Sequence, residues 1–474
     1  MSTQVFRLFC ASSLLVACVG DVLPAHDGDS SHSHAVRAVK PAEYYAPTIV
    51  PDRIVLTWAG EPTTTQAVTW RTSIEVVDGF AEIAVAGPGP DFVKESKLVQ
   101  ATTSALKTDL STAHFHSVRF YGLKPGTKYA YRVGDKTNWS EWFHFSTASD
   151  KIEPFSFIYF GDAQNDLRSM WSRVIREACL DAPKAKFILH AGDLVNRAES
   201  DGEWGEWFGA GAWLNAMIPS VPVVGNHEMQ KLEQGGSRLS HHWRTAFTLP
   251  EDGPEGLSET CYSFEYQNAC FVVMNSNEKI KQQVEWLDSV LSKNKQPWVV
   301  CSFHHPIFST AKDRDNAELR NLWKPILDKH RVDLVLQGHD HTYGRTGLDT
   351  PVANSETIGN VPTGVNKVDM FTGTIYVVSV SGPKMYNLSP SPFMKRVAED
   401  TQLYQIIRID GDKMQYESRT ATGDMYDGFV LEKQPGKTNR MTEVVPSAPE
   451  RRRQPKETKS EAVAVPATAA SDSK

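Results

Sequence analysis

The chain has 474 residues, of which 40% are hydrophobic and 10% aromatic, and a formal net charge of −7. These are ordinary globular values, long enough for two domains and a sizeable core. The acidic balance weighs against a nucleic-acid or anionic-membrane surface as the dominant feature, leaving only local patches open, and nothing reads as a basic stripe.

The amino terminus reads as an export signal. Arg7 precedes an apolar stretch through Leu14 that ends Leu15-Val16-Ala17-Cys18, too short to span a bilayer. The last four residues look like a bacterial lipobox, which implies cleavage before Cys18, a diacylglyceryl group on it and membrane association through the acyl chains. The alternative is a plain secretory signal within residues 1–20, cut a few residues later. Either route exports the protein, as a periplasmic or cell-surface lipoprotein or as a secreted protein. Residues 21–45 are rich in His, Ser, Asp and Ala and read as a flexible linker, with His26, His32 and His34 in a tether rather than a metal site.

Over residues 46–149 short β-like runs alternate with turns: Ile54 to Trp58, Ala67 to Trp70, Ala81 to Val85, His116 to Phe120, Tyr129 to Val133 and Trp142 to Phe145. That spacing suits a small all-β sandwich, and the stretch from Leu123 to Val133 resembles the corner of a fibronectin type III domain. Such a module serves as a rigid lid or packing partner for the domain after it, or as a binding module.

Residues 153–433 form a second domain of α/β character. Its apolar strand-like runs are Phe155 to Phe160, Lys186 to His190, Val221 to Val224, Trp298 to Phe303 and Val332 to Gln337. Leu167, Met170, Trp171, Val174 and Ile175 recur at the spacing of an amphipathic helix packed on a sheet, and Val284, Leu287 and Leu291 mark another. Cys179 and Cys301 read as core residues. Cys261 and Cys270 flank an alternating segment that turns near Gln267-Asn268, so a cross-strand disulfide is expected in an oxidising compartment, with two buried thiols as the alternative. From Gln434 to Lys474 the chain is rich in Pro, Ala, Lys, Glu, Ser and Thr, with an Arg451-Arg452-Arg453 run, and is expected to be disordered for want of apolar surface.

Each strand-like run is followed by a short polar motif: Gly161-Asp162-Ala163-Gln164, Gly192-Asp193-Leu194, Gly225-Asn226-His227-Glu228, His304-His305-Pro306 and Gly338-His339-Asp340-His341. One such dipeptide is ordinarily a turn. Five of them at strand ends, where open α/β sheets gather their function, point to one dinuclear metal site. Two ions about 3.5–4 Å apart need hard or borderline ligands and a carboxylate able to bridge them. Asp193 is the natural bridge, with Asp162, Asn226, His304, His339 and His341 filling the other positions. A mixed oxygen and imidazole set suits iron, zinc or manganese.

These motifs resemble those of the calcineurin-like metallophosphoesterases, and among them the purple acid phosphatases. The order matches, with 31, 33, 78 and 35 residues separating Asp162, Asp193, Asn226, His304 and His339. The resemblance implies a fibronectin type III-like sandwich followed by an α/β metallophosphoesterase domain, a β-sheet sandwich flanked by helices. It places Asp162, Asp193 and His341 on the first metal and Asp193, Asn226, His304 and His339 on the second. His227 would bind phosphate and protonate the leaving group. Glu228, Asp340, His305 and Arg345 are expected behind the ligands or against the substrate.

Two departures stand out. Where the purple enzymes carry the tyrosinate that ligates ferric iron, this chain reads Asp193-Leu194-Val195-Asn196, and Gln164 stands where other members place a histidine. Gln164, Asn196 or a water would complete the first metal through neutral oxygen. The histidines that follow the His304 motif in plant enzymes are also missing; Lys312 and Arg314 stand in that segment, which reads as a solvated charged loop. The expected reaction is hydrolysis of a phosphate monoester by in-line attack of a water or hydroxide held by both ions, with no protein nucleophile. A phosphodiesterase or nucleotide hydrolase on the same site is the first alternative, and a non-catalytic surface binding protein with a decayed site the second.

Overall fold

The structure, a computed structural model, describes residues 38–351, 356–358, 361–363, 368–369, 373–389, 392–444 and 446–453. The signal region, Cys18 and the three histidines of the linker lie outside the described residues. The compact unit runs from Pro41 onward.

Its first part is the expected sandwich, built of two four-stranded antiparallel sheets. Asp52–Thr57, Gln66–Ser73, Thr112–Phe120 and Thr102–Lys107 form one, and Lys97–Gln100, Phe80–Val85, Lys128–Gly134 and Phe143–Ser146 the other. Alternation along the strands sends Leu56, Val68, Trp70, Ile83, Val118, Tyr131 and Phe145 inward to one shared core.

The second part has two seven-stranded sheets face to face. In the first, Ser220–Pro222, Ile188–His190 and Phe155–Phe160 run parallel, followed by the antiparallel Leu403–Asp410, Lys413–Thr420, Met425–Glu432 and Arg440–Glu443. In the second, Ala269–Val273, Trp298–Ser302, Leu334–Gln337 and Ile375–Val378 run parallel, with Tyr262–Tyr266 at one edge and Tyr343–Thr346 and Met394–Ala398 at the other. Phe157, Phe271, Val300 and Ile406 belong to the core between them. The helices Gln283–Lys293 and Ala317–Lys329 cover the outer face of the second sheet through Leu287, Leu291, Trp323 and Leu327.

Four expectations are corrected. The helix after the first strand begins as a π-turn, Leu167–Trp171, before continuing as Ser172–Asp181. The extra residue in that turn rotates the stripe, leaving Met170 at 36% exposure while Leu167, Trp171, Val174 and Ile175 are buried. The cysteine hairpin forms, but its register sets Cys270 opposite Glu265. Cys261, just before the strand, is therefore four places away, roughly 13 Å at strand spacing and beyond disulfide reach. Both are buried free thiols, with burial pushing that of Cys270 up to about 12. Arg345 lies on the strand Tyr343–Thr346, buried against Asp427 at 2.6 Å and Glu443 at 2.7 Å, so it ties the second sheet to two strands of the first instead of facing the substrate. The tail is ordered as far as Arg453. Arg440–Glu443 adds an edge strand to Met425–Glu432, and beyond it Arg452 pairs with Glu450 at 2.8 Å and Arg453 with Asp400. Backbone pairing and charge supply there what apolar surface does not; the rest of the tail lies outside the described residues.

The sandwich is a packing partner of the second domain, joined to it by a buried cluster of charges. Asp201, the first residue of the helix Asp201–Gly211, meets Arg53 at 2.6 Å, Arg71 at 3.4 Å and His242 at 3.3 Å. Burial alone would raise the Asp201 pKa, but the His242 hydrogen bond and the Arg53 charge hold it well below the carboxylate range. Arg71 also pairs with Asp52 at 2.6 Å. Nearby, Tyr131 donates to the Ala216 carbonyl and Thr57 to the Thr248 carbonyl, both at 2.6 Å.

Asp201→Ala leaves the buried Arg53 guanidinium without its anion and Arg71 with Asp52 alone, and is expected to cost about 3–5 kcal/mol, read by urea unfolding at pH 7. Two buried histidines set the acid limit. His116, between Thr72 and Thr103, is pushed down to about 4 by burial and by His114, and His190, packed among Phe160, Trp171 and Trp207, to about 3 by burial. Both are neutral when folded and take up a proton on unfolding below about pH 6.5, so stability falls as pH drops from 6.5 towards 4. Urea midpoints measured across that range should decline, and His116→Gln should flatten the decline.

Candidate metal centre

Every expected ligand sits within a few residues of a strand's carboxyl end. Asp162, Asp193 and Asn226 follow the three parallel strands of the first sheet, and His304, His339 and His341 follow strands of the second. Tyr159 crosses between the sheets, its hydroxyl bonded to the Gln337 main chain. The six side chains thus converge where the ends of two sheets meet.

They form two overlapping clusters. Ligating atoms of Asp193, His304 and His339 lie within 4.8 Å of one another, as do those of Asp162, Asp193 and His341. Asp193 belongs to both. His304 Nε2 is 3.3 Å from Asp193 Oδ2 and 3.1 Å from Asn226 Oδ1, His339 Nδ1 is 2.8 Å from that same amide oxygen, and His341 Nε2 is 3.1 Å from Asp162 Oδ2. Asp162 Oδ2 is buried without a hydrogen-bond partner. A buried carboxylate oxygen facing only an imidazole nitrogen suits a cation, and imidazole nitrogens, an amide oxygen and carboxylates facing one another are the donor set of a dinuclear centre. The residues fit two metal ions.

The loops carrying them are held by Glu228. Its carboxylate accepts from the main-chain N–H of Gly225 at 2.8 Å, Asp193 at 2.9 Å, Leu194 at 2.8 Å and Val195 at 3.2 Å. Burial and the Asp193 charge push its pKa up to about 8, against those four donors, which favour the charged form. Asp193 itself is left-handed at φ 51°, and Gly192 before it at φ 93°. A Cβ on Gly192 would stand 2.6 Å from His304 Nδ1, so only glycine lets the two loops meet. Asp340 plays the matching part on the other side, accepting from Ser309 and from the Thr310 and Ala311 N–H groups.

Each imidazole is aimed by what its other nitrogen touches. His304 Nδ1 meets the Ala191 carbonyl at 2.9 Å and His341 Nδ1 the Lys384 carbonyl at 2.7 Å, turning Nε2 of each to the centre. His339 Nε2 meets Arg314 at 2.8 Å, so Nδ1 faces inward. His227 donates from Nδ1 to the Asn196 carbonyl at 2.6 Å, which leaves Nε2 3.9 Å from Asp193 Oδ2 on a side chain that is 27% exposed. His227 thus stands beside the expected ligands with Nε2 turned toward the shared carboxylate. His305 is half-buried, bonded to Ser276 at 2.8 Å and packed on the His339 ring at 4.2 Å, with desolvation and the His304 charge pushing its pKa down to about 3.

Gln164 reaches into the centre, its amide nitrogen 2.8 Å from Asp193 Oδ2 and 3.2 Å from His341 Nε2, and its Oε1 buried without a partner. Asn196 acts through its main chain, orienting His227. Arg314 is not the solvated charge the sequence suggested, since it is half-buried on His339 and 5.0 Å above the Tyr386 ring. Tyr386 packs on His341 at 4.4 Å and was not marked by any motif. It reaches the centre from a loop 45 residues further along the chain than His341.

His304 couples the centre to pH. Burial would lower its pKa, but Asp193 and Asp162 raise it to about 9, and the same pairing holds Asp193 down at about 2. A metal ion binds only the neutral imidazole, so loading must displace a proton. Zinc affinity measured by competition with a chromophoric chelator should rise about tenfold per pH unit between pH 6 and 8 and level off near pH 9.

Residues 51–147 match the family model described as the purple acid phosphatase N-terminal domain, and residues 155–343 that of the calcineurin-like phosphoesterases. Among similar proteins, a probable purple acid phosphatase 20 of Arabidopsis thaliana is 26% identical over 344 residues, covering 70% of this chain and 76% of its own. A phosphoenolpyruvate phosphatase of Allium cepa is 25% identical over 310 residues, 62% of each chain. A purple acid phosphatase from yellow lupin (Lupinus luteus) seeds shares the fold, with a TM-score of 0.63 and 19% identity over 82% of this chain and 75% of that one. The chain carries a purple acid phosphatase N-terminal domain followed by a calcineurin-like phosphoesterase domain.

Proposed function

We propose that the chain is an exported phosphatase that hydrolyses phosphate monoesters at a dinuclear centre of iron, zinc or manganese. The observation that carries this reading is the sharing of Asp193 between two clusters of ligands. Two ions there supply Lewis-acid polarisation of the phosphoryl group and an acidified water. The chain's own side chains supply the rest. His227, fixed through Nδ1, holds a proton at Nε2 for the departing alkoxide or phenoxide. Arg314 and Lys384, set against Tyr386, place positive charge beside the centre, which favours a dianionic monoester over a singly charged diester. The phosphoenolpyruvate phosphatase relative supports the monoester class. Export rests on the pattern of residues 7–18. Retention of all six ligand types speaks against a decayed site.

The test is hydrolysis of p-nitrophenyl phosphate and bis(p-nitrophenyl) phosphate by the full chain, stripped of metal and titrated with each ion. The monoester should turn over faster, with saturation at two ions per chain by elemental analysis. Faster diester turnover would reverse the substrate class, and failure to hold two ions would leave a binding protein. His227→Asn should lower kcat about 100-fold or more with metal content unchanged. With Asn196 where the purple enzymes carry the phenolate, the metal-replete protein should be colourless; a visible charge-transfer band would show that a tyrosine reaches the iron after all.

A further inference from the structure

Away from the metal centre, a cavity of about 890 Å³ opens where the sandwich meets the helices Ser172–Asp181 and Asp201–Gly211. Its floor is apolar, with Phe145 and Leu214 buried. Its lip carries three large apolar side chains turned to water: Leu180, Trp213 and Met217 are 74%, 59% and 37% exposed. Ala212, left-handed at φ 41°, turns the chain outward at the end of its helix and sets Trp213 on the rim. Around these stand Lys128, Arg176, Lys184 and Lys186, all exposed, and no Asp or Glu lines the cavity. None of the four has a carboxylate within 4.0 Å among the described residues, whereas Asp181 on the same helix is occupied by Arg419 at 3.2 Å. Lys186 alone also borders a smaller cleft that contains Glu153.

In a chain of net charge −7, four unpaired cations around exposed Trp, Leu and Met are a local reversal of the protein's charge. A tryptophan at the rim, aliphatic side chains beside it and lysines around them is the composition that settles at the headgroup level of a bilayer, where each cation gains from anionic lipid and the apolar tips leave water. We propose that this face is a docking surface for an anionic lipid bilayer, independent of any acyl group on Cys18. It draws on both domains, Lys128 and Phe145 from the sandwich and the rest from the second domain, so the buried Asp201 cluster keeps it in one piece.

The experiment is co-sedimentation of the full chain carrying Cys18→Ser, which removes the acylation site, with vesicles of phosphatidylcholine alone or containing 30% phosphatidylglycerol. Partition into the anionic vesicles should exceed that into neutral ones at least tenfold and fall at 0.5 M NaCl. Trp213→Ala should weaken it severalfold and Arg176→Glu with Lys184→Glu at least tenfold, with unchanged circular dichroism and unchanged hydrolysis of a soluble aryl phosphate. Equal partition into both vesicles, or partition indifferent to these variants, would overturn the proposal. So would saturable binding of monomeric dodecyl phosphate without vesicle binding, which would make the cavity a pocket for one amphiphile, or binding to polyglutamate alone, which would assign the face to an acidic protein.

Discussion

The carboxylate of Glu228 is the constraint on which the metal centre depends. Four main-chain N–H groups from two loops end on it, and those loops carry Asp193 and Asn226. With neither Gly225 nor Asp193 to Val195 inside a strand or helix, these backbone donors would otherwise be buried without partners, a cost comparable to losing several hydrogen bonds. The left-handed Gly192 and Asp193 follow from the same arrangement, because only a sharp reversal brings consecutive N–H groups onto one acceptor. His227, placed by its own N–H on Asp193 Oδ1, inherits its position from that geometry.

A second layer of order comes from how the centre divides its ligands. Three belong to one sheet and three to the other, and each cluster draws on both, so the closeness of its members depends on the packed core that holds the sheets together. A change in that core moves one half of the centre relative to the other. Asp193, lying in both clusters, is the residue where such a shift is felt first.

The convergence of the six expected ligands was legible in the sequence because each motif is a few residues long and lies at a strand end, so local pattern and position carry the same message. The sandwich was legible for a similar reason, since its strands are short and regularly spaced. What stayed hidden depends on contacts between distant segments. Tyr386 and Arg314 acquire their places from the way two loops fold over His341 and His339, and no periodicity marks them. Arg345 lies four residues beyond a ligand, yet the side chain points to Asp427, 82 residues on. The cysteine hairpin was read correctly as a hairpin and wrongly as a disulfide, because a shift of register decides which residues face each other. The ordered part of the tail escaped notice since it is held by an exposed edge and by charge, features that hydrophobic patterning does not register.

The position of Asp201 has a consequence for synthesis. The chain emerges amino terminus first, so the sandwich, with Arg53 and Arg71, is complete before Asp201 and His242 exist. Arginines waiting in water keep their charge at no cost, and the anion arrives already provided with its counterions. In the reverse order a carboxylate at the foot of a forming helix would wait for its cations while nonpolar side chains closed around it. The order of the two modules along the gene thus matches the order in which these charges need one another, cations first and anion second.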